Sequence, residues 1–115
     1  MRLALAIATA SSLLLVPSPS WTADANPRLA QGEKVFNASC KSCHATGKDK
    51  NDAPQLSDAP EWKQRMGGGR AALYKSSLEG FTGYYVMPAK GGNPALSDDQ
   101  VKAAVDYILD RAGVP

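Results

Sequence analysis

The sequence predicts an all-α domain of three or four short helices joined by loops that are rich in glycine and proline. Apolar residues recur at helical spacing in several segments of the 115-residue chain, and these segments are bounded by capping residues or glycines. No segment beyond Ala25 alternates Val, Ile or Thr with polar residues, so no β-strand is expected. A chain of this length is expected to form one domain.

The first segment, Met1 to Ala25, is predicted to be a cleaved secretory signal peptide. Arg2 supplies a positive charge, Leu3 to Val16 is mostly apolar, and the segment ends in Ala-Asp-Ala, with small residues where signal peptidase recognises them. The alternative is an uncleaved anchor, but a membrane-spanning helix needs about 20 apolar residues and this stretch is shorter. We therefore expect export to the periplasm of a soluble domain, residues 26–115, without a stable membrane anchor.

The first two helices are predicted from spacing and capping signals. One covers about residues 28–39, where small and apolar residues share one face: Leu29, Gly32, Val35 and Phe36. The next begins near Asp58, because Asp58 is a good capping residue, Pro60 suits the first turn and Glu61 follows the cap at the right distance. This second helix is expected to end at Gly67.

The last two helices have clearer ends. Residues 70–79 are predicted to be helical up to Gly80, with three residues on one face: Ala71, Tyr74 and Leu78. Ser97 and Gln100 form a predicted capping box, and two aspartates follow the cap, where the helix dipole favours negative charge. This helix is expected to end at Gly113 and to present an apolar stripe made of Val101, Ala104, Val105 and Ile108.

The two cysteines and the single histidine lie together in the motif Cys40-Lys-Ser-Cys43-His44. This spacing is typical of covalent haem attachment, in which each thiol adds to one vinyl group and the following imidazole binds the iron. A mature domain this small is also expected to need a cofactor or another staple for stability. The motif therefore predicts one covalently bound haem c.

Three other kinds of site can use this motif. A disulfide is the first alternative, but the redox-active form expects a preceding strand, whereas residues 28–39 are predicted to be helical. A structural zinc site needs four ligands such as Cys₂His₂, and a blue-copper site needs two histidines and a cysteine. The chain supplies too few ligands for either metal.

Met87 is the candidate for the second axial ligand of the haem iron. It lies in residues 80–94, which are predicted to form an extended loop because glycines and prolines prevent a helix, and Pro88 fixes the backbone just beyond the sulfur. The alternative for any methionine is core packing. Met66, which precedes three glycines, is assigned to packing.

These residues resemble the class I cytochromes c, most closely the bacterial cytochrome c5 group. The resemblance covers nearly all of residues 26–115 and is carried by Cys40-Lys-Ser-Cys-His44, Ala53-Pro54, Trp62, Gly80-Phe81, Met87-Pro-Ala-Lys-Gly-Gly92 and the Ser97-Asp-Asp-Gln helix start. It implies an all-α class I cytochrome c fold, with three to four short helices around one covalently bound haem. The first and last helices are expected to cross near one haem edge, with Gly32, Phe36 and Tyr107 at the crossing.

The resemblance also implies roles for residues around the haem. The Pro54 carbonyl is expected to accept a hydrogen bond from the ring of His44, which would orient the imidazole toward iron. The Trp62 indole N–H is expected near a haem propionate, with Arg65 acting there by charge, although packing or a surface position is the alternative for both. Many relatives have two further cysteines after the Met loop, and this chain has none. Its loop is therefore expected to be held by iron ligation and packing alone.

The expected function is transfer of single electrons between redox protein partners, a donor and an acceptor such as respiratory or oxidising enzymes, with low-spin iron held by His44 and Met87. With two ligands bound, the iron has no open coordination position, and the chain has no second histidine to act as an acid or a base. No enzymatic activity is therefore expected. The alternatives are a gas binder or weak peroxidase in which Met87 dissociates, and a subunit of a larger complex. The formal net charge is +2 with mixed signs, so nucleic acid is not an expected partner, and a monomer is expected.

Overall fold

The computed structural model describes residues 26–45, 53–83 and 85–115, so the predicted signal peptide lies outside the described residues. The regular elements, in chain order, are α1 (Pro27–Val35), α2 (Lys41–His44), α3 (Ala59–Arg65), α4 (Arg70–Glu79), β1 (Phe81–Thr82), β2 (Val86–Met87) and α5 (Asp98–Arg111). No helix within the described ranges is long and apolar enough to cross a membrane.

The first helix is longer than predicted, because it continues through the cysteine motif. Asn26 caps α1 by accepting a hydrogen bond from the Arg28 N–H, and Pro27 occupies the first turn. A π-helical turn, Phe36–Cys40, joins α1 directly to α2. The two cysteines and His44 therefore lie on the final turns of one continuous helical segment, which fixes their relative positions.

Helices α1 and α5 cross at Gly32, as predicted. A Cβ atom added at Gly32 would overlap the Ala103 carbonyl oxygen and lie 2.8 Å from the Cβ of Tyr107. Only glycine allows this close approach. The Phe36 and Tyr107 rings pack beside the crossing with their centroids 5.4 Å apart.

Helix α5 provides much of the hydrophobic core. The capping box forms as predicted, since the Gln100 N–H donates to the Ser97 hydroxyl and the Ser97 N–H donates to the Gln100 side chain. Its inward face packs against the π-helical turn and α3 in a buried cluster of Phe36, Trp62, Val105, Tyr107, Ile108, Leu109 and Val114. This core lies beside the end of the helical segment that bears the cysteines.

The middle of the chain contains one element that was not expected. Helix α3 is capped by Asp58 and ends in the 3₁₀ turn Met66–Gly68, as the prediction of a stop near Gly67 requires. After α4, however, β1 and β2 form an antiparallel pair in which Phe81 lies opposite Met87. The expectation of no strand was wrong, because strands of two residues are too short to produce an alternating pattern.

A polar cluster centred on Asp106 connects three helices. The Asp106 carboxylate accepts hydrogen bonds from Arg28 of α1 and, at 2.6 Å each, from Arg70 and Tyr74 of α4. Burial by itself would raise the pKa of Asp106, but the hydrogen bonds from Tyr74, Arg28 and Arg70 outweigh it and hold the pKa below its ordinary value. The cluster therefore fixes α1 and α4 against α5 at one end of the fold.

Candidate functional site

A cavity of about 290 Å³ lies between the end of α2, residues 53–54, α3, the hairpin and α5. This volume is just below the usual range of about 300–1,000 Å³ for ligand-binding clefts. Most of the wall is apolar, with residues such as Leu73, Val86, Val105 and Ile108. The structure brings all six of the predicted site residues to this one cavity: Cys40, Cys43, His44, Pro54, Trp62 and Met87.

His44 is held in one orientation by its contact with Pro54. Its side chain is buried, and Nδ1 lies 2.8 Å from the Pro54 carbonyl oxygen, the contact that the resemblance implied. A carbonyl oxygen can only accept, so Nδ1 carries the proton and Nε2 keeps its lone pair. Burial lowers the pKa of His44, the Pro54 hydrogen bond partly opposes this, and the Arg65 charge lowers it further. The ring is therefore neutral and suited to bind a metal.

The two cysteines are unpaired thiols at the cavity wall, each partly buried. Burial raises the pKa of the Cys40 thiol to about 11, with a smaller contribution from Cys43. A redox-active dithiol would instead need a depressed pKa. The Cys40 thiol therefore lacks the depressed pKa of a thioredoxin-type cysteine, and both sulfur-bearing residues line the cavity.

Gly80 places Met87 at the cavity. A Cβ at Gly80 would lie 2.8 Å from the Met87 carbonyl oxygen, and its φ of 84° is a conformation that side chains rarely adopt. The glycine thus allows the hairpin to close, and Met87 lines the cavity while being only half-buried. Met66 is absent from the lining residues and packs against the core, in line with its assignment to packing.

The Trp62 indole has a partner inside the protein, which favours the packing alternative. Its N–H donates to the Gln55 carbonyl oxygen at 2.8 Å, and a contact with a haem propionate stays a prediction. The ring packs near His44, with centroids 5.9 Å apart. The Arg65 guanidinium forms an ion pair with the Glu61 carboxylate at 2.8 Å. Arg65 also lines the cavity, so its positive charge lies at the cavity wall.

Gln55 is a site residue that the sequence did not identify. Its side chain is buried, and Nε2 donates to the Cys43 carbonyl oxygen at 2.9 Å and to the Ala53 carbonyl oxygen at 2.8 Å. These bonds connect the segment that contains Pro54 to the cysteine motif. A lone glutamine in a loop shows no pattern in the sequence, so this bracing contact could be found only in the structure.

The Met loop is held by more than packing, so the expectation of iron ligation and packing alone was wrong. The Lys90 ammonium donates to the Leu96 carbonyl oxygen at 2.8 Å and lies 3.0 Å from the Asp98 carboxylate. The Asn93 side chain donates to the Ser39 hydroxyl at 3.1 Å. Polar contacts thus join this loop to α5 and to Ser39.

Three exposed apolar side chains belong to the hairpin region and also line the cavity, and the sequence singled out only Phe81 among them, as part of the family resemblance. Phe81 is 45% exposed, Tyr85 38% and Val86 61%. Exposed aromatic and aliphatic groups next to a functional cavity are typical of a contact surface. They add an apolar rim to the apolar wall.

These features match the chemistry of a covalently attached haem. Two thiols and a neutral imidazole lie on one continuous helical segment, and a thioether from strand β2 lines the same apolar cavity. Two thiols suit the vinyl groups, and imidazole and thioether are iron ligands in electron-transfer haem proteins. The fold and site define the class of small helical haem proteins with a c-type attachment.

Comparisons with known proteins support this class. A family model described as cytochrome c oxidase, cbb3-type, subunit III matches residues 27–108. The cytochrome c-555 of Prosthecochloris aestuarii is 42% identical over 88 residues, which cover 72% of this chain and 87% of that protein. Cytochrome c5 of Azotobacter vinelandii is 38% identical over 76 residues, covering 64% of this chain and 86% of that one.

Solved structures agree with the sequence relatives. A chain in the crystal structure of an electron transfer complex of nitrite reductase with cytochrome c has a TM-score of 0.61 and 35% identity, covering 71% of this chain and 94% of that chain. Cytochrome c6 from the diatom Phaeodactylum tricornutum has a TM-score of 0.53 and 29% identity, covering 74% of this chain and 94% of that chain.

The chain belongs to the class I monohaem c-type cytochromes. It binds one covalent haem c, and it is an electron carrier rather than an enzyme. The resemblance, the all-α fold and the cofactor predicted from the sequence are thereby confirmed.

Proposed function

We propose that this cytochrome transfers single electrons between a donor and an acceptor protein, with haem attached at Cys40 and Cys43 and iron held by His44 and Met87. The single observation that carries the ligand assignment is the 2.8 Å contact between His44 Nδ1 and the Pro54 carbonyl oxygen, within the cavity that Met87 also lines. When bound, the haem supplies an iron that cycles between the ferric and ferrous states.

The residues around the site keep both ligands in place during this cycle. Pro54 fixes the tautomer and orientation of His44, and Gln55 connects that segment to the carbonyl of Cys43. The Met87 thioether favours ferrous iron and so raises the reduction potential. The mostly apolar wall of the cavity provides a low-polarity environment for the haem, which suits electron transfer.

The proposed partners are redox proteins rather than small substrates. One structural relative belongs to an electron transfer complex of nitrite reductase with cytochrome c, which supports a redox enzyme as one partner here. The apolar rim formed by Phe81, Tyr85 and Val86 supports contact with a protein surface at the cavity. We propose that the cytochrome acts as a monomer.

We also propose that the protein is exported to the periplasm. Support comes from the sequence of residues 1–25, with a charged start, an apolar stretch and an Ala-Asp-Ala end. N-terminal sequencing of the purified protein is expected to begin at Asn26 or within a few residues of it. Recovery from membranes with Met1 intact would instead support an anchor.

Substitution of Met87 tests the ligand assignment. A thioether bound to ferric haem iron produces a weak near-infrared absorption band, and Met87→Ala is expected to abolish it and to lower the reduction potential while the haem stays attached. Met66→Ala is the matched control, because Met66 packs against the core and is not among the cavity-lining residues, and it is expected to change neither. A Met87→Ala protein that keeps both the band and the potential would mean that another group binds iron.

A further inference from the structure

Lys90, three residues beyond Met87, has an unusual backbone conformation. Its φ is 55°, and no other non-glycine residue in the described parts of the chain has a positive φ. The left-handed region is unfavourable for a side chain with a Cβ and persists only where surrounding contacts enforce it. The neighbouring Gly91, with φ of 62°, adopts the same conformation without this penalty.

The Lys90 side chain has contacts that can enforce this conformation. Its ammonium donates to the Leu96 carbonyl oxygen at 2.8 Å and lies 3.0 Å from the Asp98 carboxylate at the start of α5. The side chain is only 25% exposed and lines the same cavity as Met87. Hydrogen bonds to a charged group are stronger than neutral ones. Because the Asp98 carboxylate is 65% exposed, solvent screens the ion pair, and the hydrogen bond to the Leu96 carbonyl oxygen carries most of the restraint.

A second contact secures the other side of this loop. The Asn93 side chain donates to the Ser39 hydroxyl, and Gly91 approaches the Ser39 backbone so closely that a Cβ there would lie 3.1 Å from the carbonyl oxygen. Ser39 directly precedes Cys40. The loop after Met87 is thus attached both to α5 and to the helical segment that bears the cysteines.

We propose that Lys90 is a positioning residue that keeps the Met87 sulfur on the iron. Its ammonium closes residues 90–98 into a compact loop, and this closure resists the outward movement that release of Met87 requires. The inference rests on the proposed ligation by Met87. It predicts that loss of the ammonium makes the sixth coordination position easier for an added ligand to occupy.

Competition with free imidazole tests this role. Lys90→Ala keeps the Cβ, and with it the backbone strain, but removes the ammonium. The ferric variant is expected to bind imidazole about ten-fold more tightly than the unsubstituted protein, with its near-infrared band lost at correspondingly lower imidazole concentration. Lys75→Ala is the matched control, since it removes a lysine from an exposed ion pair with Glu79, at 4.0 Å, and it is expected to leave imidazole affinity unchanged.

Two more variants distinguish positioning from a general loss of stability. Lys90→Gly removes the ammonium but relieves the backbone strain, so it is expected to fold well and still show the gain in imidazole affinity. Lys90→Arg keeps a cationic donor and is expected to restore most of the original resistance to imidazole. If Lys90→Ala and Lys90→Gly both bind imidazole as weakly as the unsubstituted protein does, and that protein shows the near-infrared band, the role of Lys90 is overturned. Ligation of the iron by Met87 then still stands. Absence of the band from the unsubstituted protein overturns both.

Discussion

The substitution Gly32→Ala tests the helix crossing that organises the fold. The added Cβ would overlap the Ala103 carbonyl oxygen and lie 2.8 Å from the Tyr107 Cβ, whereas carbon atoms in contact are separated by about 3.5–4.0 Å. Helices α1 and α5 would have to move apart by roughly 1 Å. Such overpacking costs about 1–3 kcal/mol, and the overlap with backbone atoms places this case at the upper end.

Helix propensity partly offsets this cost, because alanine is favoured over glycine in a helix by up to about 1 kcal/mol. We therefore expect a net loss of about 2 kcal/mol in the free energy of unfolding, measured by denaturant titration of the haem-containing protein. In a domain of this size such a loss lowers Tm by roughly 8–16 °C.

The matched control is Gly67→Ala. An added Cβ at Gly67 has no heavy atom within 4 Å, and the backbone there has no positive φ. This substitution is expected to be neutral or slightly stabilising. A Gly32→Ala protein as stable as the unsubstituted one would refute the packing argument at the crossing.

Two further predictions concern polar contacts. Asp106→Asn is expected to destabilise the fold by about 2 kcal/mol at neutral pH. Because the folded-state pKa of Asp106 is lowered, its contribution is present above the ordinary carboxyl pKa and is lost as pH falls through the folded value. The stability gap between the two proteins should therefore shrink below about pH 4, and a gap independent of pH would contradict this. Trp62→Phe removes one of two donors to the Gln55 carbonyl oxygen, which keeps the Asp58 N–H at 2.9 Å, and is expected to cost about 1 kcal/mol, with an unchanged reduction potential in voltammetry. A large shift in potential would support the predicted role of Trp62 at the propionate.

Local signals explain why much of the fold was predictable. The Ser97–Gln100 capping box, the stop at Gly80 and the motif from Cys40 to His44 each depend on residues close together in the chain. The crossing at Gly32 involves distant residues, and it was expected from the family resemblance rather than from spacing. Local signals were therefore sufficient to predict the helices and the haem-attachment motif.

The contacts that escaped prediction join residues far apart or lack a pattern. Asp106 binds Arg28 and Arg70, which are 78 and 36 residues away, and no spacing rule connects them. The indole of Trp62 has an obvious donor, but only the structure shows that a backbone carbonyl accepts from it. Lys90 belongs to a motif that carries the family resemblance, but nothing in its spacing indicates the contacts with Leu96 and Asp98.

Carbon monoxide binding to the reduced protein is the most direct test of the central claim, a haem site closed by His44 and Met87. Carbon monoxide binds ferrous haem wherever the sixth position is open or its ligand leaves easily. Met87→Ala serves as the positive control and is expected to form the adduct. For the unsubstituted protein at neutral pH, we predict that the ferrous absorption spectrum stays unchanged when carbon monoxide is added. Rapid and complete formation of a carbon monoxide adduct would contradict the account and indicate a gas-binding haem.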